Sequence, residues 1–342
     1  MSKVKISKVN EFINKSYGEH VIRDSWKTYR SNEYHKYRKK WNELPLNMIV
    51  SDFPIHLDIE VTSFCNLACP FCPRTIQLKE GTFPSVKHID LNLYKKLIKE
   101  GAEKGLASVK LNYLGEPLMH PDIIEIIRFT KEQGIVEVMF NTNGVLLTEE
   151  MGRTLLEAGI DSLFISFDSA YKDRYEECRI GAKYETVLNN VKGFCDIKNS
   201  DERFRHVQVR VSKVIFPDEN EQDIKAYIDL WEDKVDAVGF ASLRDETIEH
   251  EFEYDPSLRC DQPWQRIFVR QDGVTFPCCA DNKNKYSLGN AKENTISEMW
   301  HSHKLNALRN AHANARYNKI EICKNCTYLC SSKVKVDLSE VE

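Results

Sequence analysis

From Phe53 onward the chain alternates short apolar runs with stretches of helical period, six of the former separated by five of the latter. The runs at 54–62, 107–114, 135–141, 161–167, 207–215 and 235–242 read as strands. Between them, 90–104, 122–133, 148–158, 184–197 and 221–233 carry apolar residues three and four apart, as in Leu93, Leu97 and Ile98 or Tyr227, Ile228 and Trp231, which is the spacing of a helix with one buried face. Asp90 and Thr148-Glu149-Glu150 supply helix-start chemistry at the head of two of these stretches. Strands separated by helices pair in parallel, so the pattern predicts an α/β fold, either a partial barrel or an open doubly wound sheet.

Polar motifs fall just past the carboxyl end of successive strands. Three cysteines follow the first, Gly115-Glu116-Pro117 the second, Asn141-Thr142-Asn143-Gly144 the third and Ser166-Phe167-Asp168-Ser169 the fourth. Parallel α/β folds build their active sites at that rim. Stability alone gives no reason to gather four polar motifs there.

The first motif is Cys65-Asn66-Leu67-Ala68-Cys69-Pro70-Phe71-Cys72, and the next cysteine, Cys178, lies more than a hundred residues on. An iron-sulfur cubane is ordinarily held by four thiolates, so three leave one iron open to a small molecule. Zinc wants four ligands in tetrahedral array and suits the triad poorly. A second group comprises Cys260, Cys278-Cys279, Cys323, Cys326 and Cys330. A CxxC pair with two remote cysteines also occurs in zinc ribbons, so zinc stays an alternative there.

The CxxxCxxC spacing, with an aromatic residue before its last cysteine, resembles the signature of the radical S-adenosylmethionine (SAM) enzymes, and the likeness runs in order over about 53–245. It implies a partial (β/α)6 barrel. It also implies that Cys65, Cys69 and Cys72 hold a [4Fe-4S] cluster whose open iron chelates SAM, which is cleaved to a 5'-deoxyadenosyl radical. Leu114-Gly115-Glu116-Pro117 resembles the family's Gly-Gly-Glu element, with Leu114 in place of the first glycine. By that likeness Gly115, Glu116 and Pro117 would receive the SAM amino group, whose free protons need acceptors. The alternative is a turn in which Glu116 caps the helix beginning near Asp122. Asn141 and Asn143 are similar to residues contacting ribose or carboxylate, Ser166 and Asp168 to residues lining the SAM and substrate cavity, Arg179 to an arginine pairing with the SAM carboxylate, and Phe71 to an aromatic lying on adenine. Asn143-Gly144 by itself also suits a plain turn.

The carboxy-terminal cysteines, with Asp272-Gly273-Val274-Thr275-Phe276-Pro277-Cys278, Leu288-Gly289-Asn290 and Ile296-Ser297-Glu298-Met299-Trp300, resemble the SPASM extension or its shorter twitch form. The likeness implies a small domain of β-hairpin plus helix. It further implies one auxiliary [4Fe-4S] cluster on Cys260, Cys278, Cys323 and Cys326, leaving Cys279 and Cys330 as spare or alternative ligands. His301, His303 and His312 read as solvated helix positions.

The resemblance points to oxidation of a small polar metabolite, such as an amino sugar or cyclitol, with an electron passed to the auxiliary cluster and a reductant such as flavodoxin or ferredoxin. By layout the chain resembles the aminocyclitol dehydrogenases, which oxidise a secondary alcohol to a ketone with one auxiliary cluster. Asp168, Arg210, Lys213, Arg244 and Tyr113 are the candidates for accepting a proton or holding a hydroxyl. The rivals are a peptide-modifying enzyme that forms thioethers or inverts an α-carbon, for which Cys279 or Cys330 would supply hydrogen, and a non-catalytic iron-sulfur or zinc protein.

At 342 residues, 42% hydrophobic and 29% charged, the composition is that of a globular protein. No window approaches 18 consecutive apolar residues, and MSKVKISKVNEF lacks a signal-peptide core, so a cytoplasmic protein with no membrane partner is expected. Eleven cysteines in that compartment read as metal ligands rather than disulfides. The net charge of −4 gives no general case for nucleic acid. The domain expectation is a basic helical extension at 1–50, the radical SAM core at 51–245, the auxiliary-cluster domain at 246–335 and an acidic tail at 336–342. The extension carries Phe12, Tyr17, Trp26, Tyr29, Tyr34, Tyr37 and Trp41 among its lysines and arginines. That mixture suits either an anionic partner or helices packing on the core, and packing is the expectation.

Overall fold

The computed structural model describes residues 6–8, 17–243, 254–324 and 326. The acidic tail, Arg244 and Cys330 lie outside them.

Strands β1 (Ile6–Lys8) and β2 (Tyr17–Val21) pair antiparallel, and helix α1 (Asn32–Leu46) follows. The core then runs β3 (His56–Ile59), α2 (Pro73–Glu80), α3 (Leu91–Glu103), β4 (Ser108–Lys110), α4 (Ile123–Glu132), β5 (Glu137–Thr142), α5 (Glu149–Ala158), β6 (Ser162–Ser166), α6 (Lys172–Cys178), α7 (Tyr184–Ser200), β7 (Gln208–Ile215), α8 (Glu221–Trp231) and β8 (Ala237–Ser242). Strands β3 to β8 pair in sequence order, all parallel, as five successive crossovers require. The result is the expected partial barrel. The carboxy-terminal part adds α9 (Gln262–Gln265), β9 (Arg266–Val269), β10 (Val274–Phe276), β11 (Gly289–Asn290), α10 (Ile296–Trp300), α11 (His303–Ala313) and α12 (Glu321–Lys324).

Both free edges of the parallel sheet are extended. Strand β2 runs antiparallel to β8, and β9 runs parallel to β3 in register from His56 opposite Arg266 to Ile59 opposite Val269. A strand at 17–21 stands within the segment read as helical. Its residues alternate over too short a span, beside a basic stretch, to give a clear strand signal. The rest of that segment packs as expected: Trp26, Tyr34 and Tyr37 are buried in a small cluster with Ile55, against Trp41, Leu44, Ala107 and Val136. Arg30 reaches beneath the strands to the Ser162 hydroxyl at 2.9 Å and lies 3.6 Å from Glu137.

The helix starts read from sequence are real caps. Asp90 accepts the Leu93 N–H at 2.9 Å and Thr148 the Met151 N–H at 3.2 Å, each satisfying a donor that has no partner within the helix. On α3 the residues Leu93, Tyr94, Leu97, Ile98 and Gly101 are buried together, so one apolar stripe holds the helix to the sheet. Along β7 burial alternates strictly: Val209, Val211, Lys213 and Ile215 face the helices, whereas Gln208, Arg210, Ser212 and Val214 face the barrel interior. This parity decides which side chains can reach a bound molecule. Among the described residues no helix is long and apolar enough to cross a membrane.

Candidate active site

The triad loop leaves β3 and is fastened from two sides. The Ala68 N–H donates to the Ile180 carbonyl at 3.0 Å, and the Cys72 N–H donates to the Cys69 carbonyl at 3.1 Å as the chain enters α2. The Asn143 amide donates to Asn66 Oδ1 at 2.7 Å and stands 3.9 Å from Cys65 Sγ. The Arg179 guanidinium is 3.8 Å from Cys69 Sγ and lies over the Phe71 ring at 5.6 Å. Burial pushes the Cys69 thiol up to about 11 and raises that of Cys65, so binding a metal there must displace protons.

The Gly115-Glu116-Pro117 segment sits directly beside this loop. A Cβ on Gly115 would stand 1.9 Å from the Thr62 carbonyl oxygen and 2.9 Å from that of Phe64, so only glycine permits the approach. We expect Gly115→Ala to cost at least about 1–3 kcal/mol, as overpacking does when both neighbours are backbone, measured as a lowered urea midpoint. Glu116 is buried. Its carboxylate accepts from the Thr142 hydroxyl and the Asn143 N–H, both at 2.7 Å, and from the Leu118 N–H at 3.1 Å. It caps the single turn Pro117–Met119 rather than the helix after Asp122, whose own cap makes no side-chain hydrogen bond. Glu60, which the sequence did not single out, shapes the same loop by accepting the Leu114 N–H at 3.0 Å.

Burial pushes both Glu60 and Glu116 up to about 7 from the ordinary value of 4.5. A carboxyl whose folded pKa is raised holds its proton more tightly in the folded chain. Its cost to stability therefore appears as the pH rises from about 4.5 and is complete above about 7. We expect the cofactor-free protein to lose stability across that window. Glu60→Gln, which still accepts the Leu114 N–H, should flatten the slope between urea midpoints taken at about pH 5 and about pH 8.

Near the carboxyl end of β5 the Asn141 Oδ1 is buried with no hydrogen-bond partner, and so is the Ser212 Oγ on β7, which stands opposite Ser166 of β6. Ser166 is half-buried at the end of β6. Asn143 and Arg179 bring an amide and a guanidinium to the triad beside the buried Glu116 carboxylate, and the unpartnered Asn141 Oδ1 and Ser212 Oγ lie at neighbouring strand ends. That donor set fits a cluster with SAM seated on it.

The expected substrate residues separate. Asp168 and Arg179 are joined to each other, Oδ2 to Nε at 2.5 Å, and Asp168 also accepts the Val214 N–H at 2.8 Å. Asp168 thus positions Arg179 and is not an open proton acceptor. Lys213 is turned to the helix side of β7, paired with Glu219 and lying under the Tyr227 ring, so it does not reach the barrel interior. Tyr113 is packed against Phe268 and Phe276, with its hydroxyl donating to the Cys279 carbonyl at 3.1 Å, and burial raises its pKa well above the ordinary value. Arg210 alone of the described candidates faces a large cavity. That cavity, of about 530 Å³, lies inside the barrel below the rim. Its walls include Lys110, Met139, Phe164 and Arg210, its floor Tyr37 and Trp41, and its far side Gln262 and Cys279.

The second cysteine group also converges. The Cys278 thiol is raised first by burial and then by the charges of Cys279, Cys323, Cys326 and Cys260, so these side chains share one neighbourhood. The ten described cysteines are free of disulfides. Among the described residues no three His, Cys, Asp or Glu side chains close around a single ion, and a cubane spreads its thiolates more widely than one ion does. His312 corrects the reading of it as solvated: it is buried and stacks on Tyr317, and its Nε2 lies 3.5 Å from Cys323 Sγ. Burial lowers its pKa to about 4, so the ring is neutral. The Cys260 N–H donates to Nδ1 at 3.3 Å, which leaves the ring proton on Nε2, aimed at the Cys323 sulfur. His301 and His303 are exposed, as expected.

A parallel partial barrel whose first strand ends in three converging thiols, beside a buried glutamate and a rim of amides, is the core of a radical SAM enzyme. The Radical SAM superfamily model matches residues 59–230, and that of SPASM, an iron-sulfur cluster-binding domain, matches 260–327. The chain belongs to the radical SAM superfamily and carries a SPASM domain; its cofactors are SAM, a SAM-binding [4Fe-4S] cluster and an auxiliary [4Fe-4S] cluster. It is 27% identical over 235 residues to a GTP 3',8-cyclase of Lactiplantibacillus plantarum, covering 68% of this chain but 63% of that one, less than two thirds of the relative's length. It is 24% identical over 272 residues to the S-adenosyl-L-methionine-dependent 2-deoxy-scyllo-inosamine dehydrogenase of Niallia circulans, covering 79% of this chain and 91% of that one. Among solved structures, BtrN in complex with AdoMet and 2-DOIA matches with a TM-score of 0.54 at 20% identity over 83% of this chain and 95% of that one. The corresponding values for anSMEcpe with bound AdoMet are 0.60, 15%, 80% and 88%. At these identities the structural likeness establishes the fold.

Proposed function

We propose that the enzyme oxidises a carbon bearing a hydroxyl in a small polar metabolite, of the amino sugar or cyclitol class, to a ketone. The observation that carries this reading is the cavity walled by Met139, Phe164 and Arg210, each two residues before Asn141, Ser166 or Ser212 on its strand, and reaching Cys279, the neighbour of Cys278. Its size, about 530 Å³, falls in the range that encloses small ligands. The dehydrogenase named above supports it, since the match spans nearly all of that protein.

When bound, SAM on its cluster supplies a radical that takes one hydrogen atom, and the auxiliary cluster takes one electron; together with loss of the hydroxyl proton this makes two electrons and two protons, the balance of alcohol to ketone. The chain's own residues hold and orient. Cys65, Cys69 and Cys72 are the ligands for the SAM-binding cluster and Cys260, Cys278, Cys323 and Cys326 those for the auxiliary cluster. Glu116 holds the loop that receives the SAM amino group, Asn141 and Ser166 offer polar groups at the rim, and Arg179, fixed by Asp168, brings a positive charge beside Cys69. Arg210 faces the substrate cavity. The reductant is a small electron carrier of the flavodoxin or ferredoxin type, and the compartment is the cytoplasm.

The test is anaerobic turnover of reconstituted enzyme with aminocyclitols and amino sugars, 2-deoxy-scyllo-inosamine among them. We expect a ketone and 5'-deoxyadenosine in equal amounts, with deuterium moving from the carbinol carbon to deoxyadenosine. A cross-linked or epimerised peptide formed instead, with product formation but not SAM cleavage lost in Cys279→Ala, would place the enzyme among the peptide modifiers.

A further inference from the structure

We propose that the cavity grips its substrate by an anionic group, a carboxylate or a phosphate, with Lys110 as the principal contact and Arg210 and Arg266 beside it. The inference rests on reading this cavity as the substrate site.

Of the six lysines and arginines that line this space, Arg23, Lys27 and Arg38 come from the amino-terminal segment and three come from core strands: Lys110 from β4, Arg210 from β7 and Arg266 from β9. The carboxylates around them are already engaged. Glu19 meets Arg210 at 3.2 Å, and Asp58 meets both Arg266 and His56 at 3.3 Å. Glu137 lies 3.6 Å from Arg30 and accepts the Ser162 hydroxyl at 3.1 Å. Lys110 makes no hydrogen bond or ion pair among the described residues. Burial lowers the pKa of its amine and the charges of Arg266 and Arg210 lower it further, against the opposing pull of Asp58 and Cys279.

A desolvated ammonium without a counter-ion costs free energy that an anion placed against it returns. The same anion would relieve the mutual repulsion of the three cations. A neutral sugar hydroxyl would leave that repulsion in place. The Arg210 guanidinium lies over the Phe164 ring at 3.9 Å and that of Arg266 over the Trp41 ring at 4.8 Å, contacts that help place their donors before the ligand arrives. Met139, Phe164 and Trp41 leave apolar wall for the carbon frame.

The experiment measures binding by calorimetry to reconstituted holoenzyme with SAM, using inorganic phosphate and two matched pairs: glucosamine with glucosamine 6-phosphate, and glucose with gluconate. We expect phosphate to bind, each anion to bind at least about tenfold more tightly than its neutral twin, and this preference to weaken as salt rises. Lys110→Gln should remove the preference, and Lys110→Arg, which keeps the charge, should restore most of it. Undetectable phosphate binding, equal affinity for both members of each pair, or an unchanged preference in Lys110→Gln would overturn the proposal. Failure of the oxidation reading looks different: anions bind through Lys110 but no ketone forms. Conversely, a ketone formed from a neutral aminocyclitol with a KM unchanged in Lys110→Gln leaves oxidation standing and removes the anion site.

Discussion

Replacing Cys65, Cys69 and Cys72 together by alanine is expected to abolish SAM cleavage outright and to lower bound iron from about eight atoms per chain to about four, because a [4Fe-4S] centre is held by its cysteine thiolates and the auxiliary set is separate. The loss should be complete. The loop that carries these thiols is tied to the Ile180 carbonyl, through Asn66 to Asn143, and to Arg179, so no other described cysteine can swing into it without breaking those bonds. Iron and sulfide analysis after anaerobic reconstitution, with a dithionite-driven assay for 5'-deoxyadenosine, reads both quantities. Retained cleavage in the variant would overturn the assignment of the triad, and zinc in place of iron in the wild type would overturn the catalytic reading altogether.

The second large effect is expected at Asp168. Its carboxylate is wholly buried and Arg179 is 13% exposed, so Asp168→Ala strands a guanidinium next to the thiol of Cys69. Breaking a buried pair from one side costs about 3–5 kcal/mol, mostly for the charge left behind. The variant Asp168→Ala should therefore lose about that much stability by urea unfolding, together with much of its SAM affinity. Replacing both partners, as Asp168→Leu with Arg179→Met, should cost less than the single change, since no orphaned charge remains. A double variant as unstable as the sum of the two singles would show that the pair is not the source of the effect.

The strands and helices of the core were legible because each has one buried face, and that face leaves a period of two or of 3.6 in the chain. The rim was legible for the same reason: once the strands were placed, the polar motifs at their ends had to gather. Orientation within the rim was less accessible. The parity of Lys213 was in fact written beside it, since Val209, Val211 and Ile215 are apolar at the alternate positions that face the helices. His312 likewise shares a helical face with the buried Leu305, Leu308 and Arg309, a spacing that marks it as inward. The join between Asp168 and Arg179 left no such trace, because it crosses a loop and a helix start, where no period operates. The Lys110 environment is likewise a product of distant strands brought side by side.

The parallel register of β9 on β3 ties the fate of the two cluster sites together. Cys65 follows β3 in the chain, and Cys278 follows β10, which is hydrogen-bonded to β9. Where metal is bound only by the folded chain, its binding free energy adds to folding and grows by mass action with supply. Because one continuous sheet carries both sites, either centre supports the strands that present the other. Iron scarcity should then lower the amount of folded enzyme as a unit, removing it from the cell's metabolism instead of leaving a pool of half-loaded chains.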